Sequence, residues 1–191
     1  MITWEGLKFK LFFEQQSLDG VYIIRPKKFE DERGHFFESF RHSEFFNKLN
    51  KNFVQDNEVF SKESNIIRGL HYQIDRLQGK LIHVVSGAIK DIAVDVRMGS
   101  PNFGKSFKAI LTAENHKMLY VPEGFAHGYL VLEQNTIVRY KCTNYYHVES
   151  EYGVRWDDPD INIDWGISDP VLSKKDKMLP FLKMQKNLPK F

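Results

Sequence analysis

Two histidines in apolar, strand-like surroundings are the residues of this chain best suited to chemistry. His71 lies in the run IIRGLHYQ and His127 in VPEGFAHGYLVL, each close to glycine. A metal site needs three or four converging nitrogen, oxygen or sulfur ligands. Tyr72 and Gln73 follow His71, so the first run supplies one histidine where a histidine-x-histidine metal motif would supply two. The incomplete ligand set favours acid/base chemistry over metal binding.

Three further side chains could assist a histidine base. Arg68 precedes His71 and Lys80 follows it, and a base that removes a carbon-bound proton needs a cation or donor near the enolate that forms. Tyr140, in VRYKCTNYY, could return a proton as the acid. From sequence alone the two cations could equally be solvated or ion-paired. For the tyrosine, spacing alone favours a core residue whose hydroxyl lies at the edge of a barrel.

The remaining polar candidates are less defined. Asp176, in LSKKDKMLPF, reads from sequence alone as a solvated charge on a short helix. Polar residues near turns and strands could hold a diphosphate and the edge of a base, because arginine binds phosphate oxygens bidentately; they are Arg33, Gln55, Asn57 and Arg68. The chain has no P-loop and no G-x-G-x-x-G, which argues against ATP or NAD bound in those ways.

Composition limits the class of protein. The 191 residues suit one domain, and the 42% hydrophobic content, with 14% aromatic residues, is ample for a packed core. A net charge of +2 gives no case for nucleic-acid binding, and no apolar run reaches the length of a membrane span. The lone Cys142 indicates a reducing compartment, and the first residues lack the features of a signal peptide. A cytoplasmic protein is therefore expected.

Short strands separated by turns dominate the central part of the chain. Their near-regular spacing between Phe53 and Val148 predicts an all-β sandwich or jelly-roll barrel. Within Leu81–Arg97, the β-branched run is interrupted by Ser86-Gly87, which predicts a hairpin. Short helices are predicted over Ser43–Leu49, with Ser43 as N-cap, and near Ser173–Met178.

Several linked motifs occur in an order that is typical of one family. They are DERGHFFESF, FVQDNEVFSK, RGLHYQ, QGKLIHVVSGAIKDIAVDVR, SPNFGK, LTAENHKMLYVPEGFAHGYLVL, YKCTNYY and RWDDPDI. Over residues 20–181 the chain resembles the RmlC-type dTDP-4-dehydrorhamnose 3,5-epimerases of the cupin superfamily. The resemblance implies a cupin-type jelly-roll β-barrel with short flanking helices. It also implies an N-terminal extension (1–20), an epimerase domain (21–182) and a C-terminal tail (183–191).

The resemblance also implies a reaction. Members of this family are homodimeric isomerases that use no metal or other cofactor. Their substrate is a nucleotide-diphosphate 4-keto-6-deoxy sugar for surface polysaccharide synthesis. The C4 ketone acidifies the protons on C3 and C5, a base removes one, and a proton returns on the opposite face of the enolate. Inversion of one centre only, a GDP-linked 4-keto heptose as substrate, a metal-dependent cupin oxygenase and a non-catalytic sugar-binding protein remain as alternatives.

Site residues follow from the resemblance position by position. It makes His71 the general base, Asp176 its partner, and Tyr140 the acid on the other face. Lys80 stabilises the enolate together with Arg68. The positions expected to bind substrate are Arg33, Glu38, Gln55, Asn57, Arg68, His127 and Tyr146.

The sequence departs from the family pattern at three places. His83 stands where arginine is usual, and the loop that follows Gln73 reads IDRL, one residue shorter than the commoner loop. About twenty residues also precede the usual start. These departures bear on which nucleotide and sugar are bound, and they leave the reaction class unchanged.

Overall fold

The computed structural model describes residues 10–191. In chain order the strands of this part are β1 (Leu11–Gln15), β2 (Tyr22–Pro26), β3 (Phe29–Asp31), β4 (Gly34–Phe36), β5 (Gln55–Ser61), β6 (Ile67–Gln73), β7 (Lys80–Ser86), β8 (Ala88–Asp95), β9 (Ser106–Thr112), β10 (Met118–Val121), β11 (Phe125–Val131), β12 (Thr136–Cys142) and β13 (Glu151–Gly153). The α-helices are α1 (His42–Leu49) and α2 (Lys174–Lys177), and single 3₁₀ turns cover Val148–Ser150 and Leu182–Met184.

Two antiparallel sheets face each other and form the barrel. The larger sheet has the order β1-β2-β10-β7-β12-β5, and the smaller has the order β13-β6-β11-β8-β9. Strands β3 and β4 form a separate hairpin. This arrangement confirms the predicted all-β jelly-roll barrel with short helices beside it.

Alternation along the strands places one set of side chains inside the barrel. On β12, Val138 and Cys142 are buried between the sheets, whereas Arg139 is exposed on the outer face. Successive side chains of a strand point to opposite faces, so Tyr140 shares the inner face with Val138. The apolar residues of this inner core come from both sheets; they include Ile82, Val84, Ile89, Leu119, Phe125 and Val131. The inner face is therefore apolar at one end and carries polar side chains at the other.

The turn at Ser86-Gly87 is a crossover between the sheets. Strand β7 pairs with β10 and β12, whereas β8 pairs with β9 and β11, so the predicted hairpin is wrong. Gly87 has φ +75°, and a Cβ there would lie 2.2 Å from Oγ1 of Thr136, so the crossover needs a residue without a side chain.

The helices also differ in detail from their predictions. Helix α1 begins at His42 with Arg41 in the N-cap position and no side-chain cap, so the predicted Ser43 cap is wrong. In α2, by contrast, the Ser173 hydroxyl accepts a hydrogen bond from the backbone N–H of Asp176, a typical N-cap interaction. The capped helix fixes the direction of the Asp176 side chain.

Strands β6 and β11 approach each other unusually closely. A Cβ at Gly69 (φ +111°) would lie 2.6 Å from the carbonyl oxygen of His127 and 2.7 Å from Cα of Gly128. Glycine at both positions lets the two backbones meet, and His71 lies directly opposite His127 in the register. The fold thus places the two histidines side by side on neighbouring strands.

The two ends of the described chain join the barrel. Strand β1 pairs with β2 at the edge of the larger sheet, and Lys190 forms a bridge with Met98. Both lie in the segments that the sequence assigns to an extension and a tail, and the domain boundaries stay a prediction. Within residues 10–191, no helix is both long enough and apolar enough to cross a membrane.

Candidate active site

A cavity of about 400 Å³ opens between the two sheets at the polar end of the barrel. The sequence-predicted residues that line it are Gln55, Asn57, His71, Lys80, Tyr140 and Tyr146. They come from both sheets and from the loop after β12. A substrate in this cavity would therefore have protein groups on two opposite faces.

His71 and Asp176 form a hydrogen-bonded pair at one wall of the cavity. Nε2 of His71 lies 2.7 Å from Oδ1 of Asp176, whose side chain is only 6% exposed. Burial would raise the pKa of this carboxyl, but hydrogen bonds from His71, from Ser173 and from the backbone of Gly69 hold it below its usual value. The ionised carboxylate can only accept a hydrogen bond, so Nε2 carries the proton and Nδ1 of His71 is the nitrogen free to act as a base.

Glu151, which the sequence did not single out, lies beside this pair. Its Oε1 is 3.9 Å from Nδ1 of His71, its Oε2 accepts a hydrogen bond of 2.6 Å from the Tyr146 hydroxyl, and it forms an ion pair with Lys175. Burial alone would raise the pKa of Glu151, but Lys175 and Tyr146 hold it below its usual value. The hydrogen bond to Glu151 in turn raises the pKa of Tyr146 to about 12.

A sequence motif could have indicated Lys175 but not Glu151. Lys175 directly precedes Asp176 in the segment already singled out, so that motif could have indicated it. Glu151 has no such signal, because it reaches the cavity through the short strand β13, which pairs with the end of β6.

The opposite wall of the cavity carries Tyr140 and Lys80. Tyr140 lies on β12 across from Asn57 of β5, and Lys80 begins β7 across from Cys142 of β12. Burial raises the pKa of the Tyr140 phenol, which therefore keeps its proton at neutral pH. Burial has the reverse effect on Lys80 and lowers the pKa of its ammonium. A protonated phenol and a lysine thus face the His71 imidazole from the other sheet.

Arg68 and His127 lie deeper in the barrel than the cavity wall. His127 is 7% exposed, and its Nε2 lies 2.7 Å from Oδ1 of the fully buried Asp91. The Nη2 group of Arg68 donates to the Ser61 hydroxyl at 3.4 Å. Both predicted residues therefore belong to the floor beneath the cavity.

Arg33 and Glu38 do not reach the cavity of their own chain. Arg33, in the turn between β3 and β4, is 68% exposed and makes an ion pair of 2.6 Å with Asp31. Glu38 makes an ion pair of 2.6 Å with Arg41. The structure thus separates these two residues from the other nine predicted site residues.

A larger cavity, of about 530 Å³, lies on the outer face of the six-stranded sheet. Phe37 and His83 line it, together with the ion pairs Arg139–Glu58 (2.7 Å) and Lys141–Asp56 (2.8 Å). Phe37 and His83 are in edge-to-face contact. This outer cavity has no histidine–carboxylate pair, so the smaller cavity is the candidate active site.

Within residues 10–191, no group of three or more His, Cys, Asp or Glu side chains has an arrangement that could hold a metal ion. That a mechanism needs no cofactor stays a prediction.

Sequence comparisons identify the relatives of this chain. The family model described as dTDP-4-dehydrorhamnose 3,5-epimerase matches residues 15–184. The chain is 47% identical over 169 residues to the dTDP-4-dehydrorhamnose 3,5-epimerase of Methanothermobacter thermautotrophicus, covering 86% of this chain and 91% of the relative. It is 45% identical over 167 residues to the enzyme of the same name from Escherichia coli, covering 85% and 90%.

Solved structures agree with the sequence comparisons. The dTDP-6-deoxy-D-glucose-3,5-epimerase RmlC of Legionella pneumophila, in complex with dTDP-4-keto-L-rhamnose, superposes with a TM-score of 0.90 at 41% identity, covering 95% of this chain and 99% of that one. ChmJ, a 3'-monoepimerase from Streptomyces bikiniensis in complex with dTDP-quinovose, gives 0.86 at 31% identity and covers 92% and 91%. The chain therefore belongs to the dTDP-4-dehydrorhamnose 3,5-epimerase family.

Proposed function

We propose that this chain is a dTDP-4-dehydrorhamnose 3,5-epimerase, an isomerase that inverts C3 and C5 of a dTDP-linked 4-keto-6-deoxy sugar without a cofactor. One observation carries the proposal: His71 and Tyr140 line one cavity from opposite sheets. An epimerase must remove a proton from one face of a carbon and return a proton to the other. A base and an acid on facing walls meet that requirement.

Proton removal is the task of His71. Its Nδ1 takes the proton from C3 or C5, and the electron pair of the C–H bond moves into the enolate, which places negative charge on the C4 oxygen. Asp176, 2.7 Å from Nε2, fixes the tautomer and stabilises the imidazolium that forms. Lys80, with Arg68 behind it, stabilises the negative oxygen by charge.

Proton return is the task of Tyr140. Because burial keeps the phenol protonated, the proton is available to the enolate carbon from the second wall. The phenolate left behind recovers a proton from solvent, and the His71 imidazolium releases its proton to solvent, so that both groups are ready for a second inversion. The ring must present C3 and C5 in turn, so the same pair of residues acts twice.

Recognition of the nucleotide involves the mouth of the cavity and a second subunit. Gln55, Asn57 and Tyr146 lie on the cavity wall, and the backbone N–H of Tyr146 donates to the Gln55 side chain at 2.8 Å. Arg33 and Glu38 lie outside it. In the homodimer proposed here, the β3–β4 hairpin and the residues after it, carrying Arg33 and Glu38, reach the cavity of the partner subunit.

Mixed dimers test this arrangement. The Arg33→Ala variant and the His71→Ala variant should each be inactive alone. After they are unfolded and refolded together, half of the dimers are mixed, and one of the two sites in each mixed dimer is intact. The mixture should therefore recover up to about a quarter of wild-type activity. A mixture with no more activity than its parts would show that each subunit uses its own Arg33.

The reaction itself is tested by deuterium uptake in D₂O, followed by NMR with dTDP-linked 4-keto-6-deoxyglucose. Uptake at both C3 and C5, with inversion of both centres, is the expected result. Preference for dTDP over GDP rests on the names of the relatives, so the GDP-linked sugar is the matched control. No uptake with either sugar would overturn the proposal and favour sugar binding without catalysis.

A single-centre epimerase is the second candidate. Its support is the 31% identity to ChmJ, whose name describes a 3'-monoepimerase on the same fold. The deuterium experiment separates the two functions, because a single-centre enzyme would label one carbon only. The higher identity of 47% to a 3,5-epimerase favours the double inversion.

The setting of the enzyme is proposed from its composition. Cys142 is buried and unpaired within the described residues, which agrees with the reducing conditions of the cytoplasm. We place the epimerase domain at residues 21–182, close to the 15–184 matched by the family model. Its product would serve the synthesis of surface polysaccharide.

A further inference from the structure

A second histidine–aspartate pair lies beneath the floor of the cavity. Nε2 of His127 is 2.7 Å from Oδ1 of Asp91, and the Asp91 side chain is 0% exposed. His127 is on β11, opposite His71 in the register, whereas Asp91 is on β8, opposite Tyr129. The proposed mechanism gives Asp91 no role, although a fully buried carboxylate is among the rarest groups in a protein core.

Three buried polar atoms in this pair and next to it have no hydrogen-bond partner among the described residues. Tyr129 is opposite Asp91 on one side and opposite Arg68 on the other, so the three residues form one row across β8, β11 and β6. Oδ2 of Asp91, the Tyr129 hydroxyl and Nε of Arg68 are buried and have no hydrogen-bond partner in the described part of the chain. A row built for stability would satisfy these atoms, since a buried unsatisfied group destabilises the fold. Their place under the reacting groups indicates a role in the reaction.

The charge of Asp91 acts on the cation above it. Burial lowers the pKa of the Lys80 ammonium, and Glu151 and Asp91 are among the groups whose negative charge opposes that shift. Arg68 is the second cation near the row, and its charge acts on the Tyr129 phenol. Asp91 is therefore one of the buried groups whose negative charge acts on Lys80.

We propose that Asp91 is a positioning residue of the epimerase reaction, which acts by fixing His127 with its proton on Nε2 and by placing a buried negative charge near Lys80. The inference rests on the proposed function of the cavity above. A carboxylate accepts hydrogen bonds only, so in a neutral His127 the proton lies on Nε2 and Nδ1 carries a lone pair. Within residues 10–191, Nδ1 of His127 has no hydrogen-bond partner, and it is not among the fully buried unpartnered atoms named above.

The fixed tautomer determines what His127 can recognise. A bare Nδ1 accepts a hydrogen bond and cannot donate one, so its partner on the substrate is a hydroxyl group of the sugar. The keto oxygen and the enolate oxygen need donors, which Lys80 and Arg68 supply. The site would therefore present one acceptor to a sugar hydroxyl, Nδ1 of His127, and two cations to the oxyanion, Lys80 and Arg68.

A double-mutant cycle with Asp91→Asn and His127→Gln tests the proposal. Each single variant should lower kcat about 10- to 100-fold, the range found when a group that orients a functional histidine is removed. Because Asp91 acts partly through His127, the double variant should lose less than the product of the two single losses. In the pH profile of kcat/KM, the alkaline limb should move to lower pH in Asp91→Asn. Lys80 loses a neighbouring negative charge in this variant, which lowers the pKa of its ammonium. Fully multiplicative losses, or an unmoved limb, would overturn the proposal.

Two controls separate positioning from folding and from the function itself. Ile89→Val, on the same strand and in the inner core, should lower the melting temperature while leaving the alkaline limb in place. If Asp91→Asn does not fold, ¹⁵N NMR of wild-type His127 decides: a proton on Nε2 supports the proposal, and a proton on Nδ1 rejects it. Wild-type protein that folds and binds dTDP but exchanges no deuterium would contradict the proposed function, while the tautomer would still be measured.

Discussion

The barrel contains two histidine–aspartate pairs with the same geometry and different surroundings. In both, Nε2 of the imidazole lies 2.7 Å from Oδ1 of the carboxylate, and the histidines face each other on β6 and β11. His71 is 26% exposed and lines the cavity, whereas His127 is 7% exposed and lies under it. Asp176 comes from a capped helix, whereas Asp91 comes from a strand of the same sheet. The geometry of the pair alone does not define a base.

What distinguishes the two pairs is the group across the cavity. His71 faces an acid, Tyr140, and a cation, Lys80, on the opposite sheet. His127 lies beside buried Tyr129 on its own sheet, and Tyr140 and Lys80 line the cavity with His71 rather than with His127. A proton can be taken and returned only where substrate separates the base from an acid. We therefore propose that the first pair performs the chemistry and that the second orients the substrate.

Removing the two imidazoles should give the largest difference between the pairs. His71→Ala should abolish deuterium uptake at C3 and C5, a loss of at least about 10³-fold, because it removes the imidazole base that Asp176 orients. His127→Gln should retain measurable uptake, since His71 remains in place. Uptake in D₂O followed by NMR measures both. Comparable residual exchange in the two variants would remove the distinction between them.

Loss of the cation should have the next largest effect. Lys80→Met keeps the aliphatic chain and removes the charge beside the enolate oxygen, so kcat should fall by roughly 10² or more. Lys141→Met is the matched control: Lys141 is on the outward face of β12, where it pairs with Asp56, and its kcat should stay near wild type. Steady-state kinetics measure both variants. A normal rate for Lys80→Met would exclude Lys80 from the stabilisation of the enolate.

Removing the acid should separate exchange from inversion. Tyr140→Phe leaves His71 able to take and return the proton on its own face, so solvent exchange at carbon should persist while inversion slows by about 10- to 100-fold. Tyr145→Phe, at a tyrosine that is 59% exposed, should leave both rates unchanged. The ratio of the two rates comes from one NMR time course. Equal slowing of exchange and inversion would mean that Tyr140 has a different role.

The fold could be predicted from the sequence because it depends on local pattern: short alternating strands indicate a barrel. The roles proposed for His71 and Tyr140 come from the family resemblance of RGLH and YKCTNYY, and spacing alone does not give them. At Ser86-Gly87 the pattern predicts a hairpin, whereas the structure has a crossover between the sheets. Side chains that alternate with a period of two indicate a strand, but they do not show which sheet the strand joins.

Interactions that depend on tertiary structure could not be predicted from the residues alone. Asp176 reads as a solvated helix charge, since its partner His71 is 105 residues away. Resemblance to the family corrected that interpretation, whereas no motif indicated Glu151 or Asp91. Arg33 and Glu38 are the reverse case: their motif was recognised, but the single chain keeps them outside the cavity. Distance along the chain and burial are what the pattern of residue types leaves open.

The smallest expected effect concerns stability in acid, where Asp176 should act differently from a surface carboxylate. Its pKa in the folded chain is below the usual value, because hydrogen bonds from His71, Ser173 and Gly69 outweigh burial. Its stabilisation is therefore fully present above the unfolded pKa of about 4 and is lost as the pH falls through the lower, folded value. Asp176→Asn should lower the free energy of unfolding by about 1–2 kcal/mol at neutral pH.

The difference from wild type should narrow below about pH 4, where the unfolded carboxyl of the wild-type chain takes up its proton. Urea unfolding from pH 7 to pH 3 measures it. Asp164→Asn, on a 75% exposed side chain, is the control and should follow the wild-type curve throughout. A constant difference between Asp176→Asn and wild type at every pH would mean that the amide disturbs packing, and that the charge of Asp176 contributes nothing to the His71 pair.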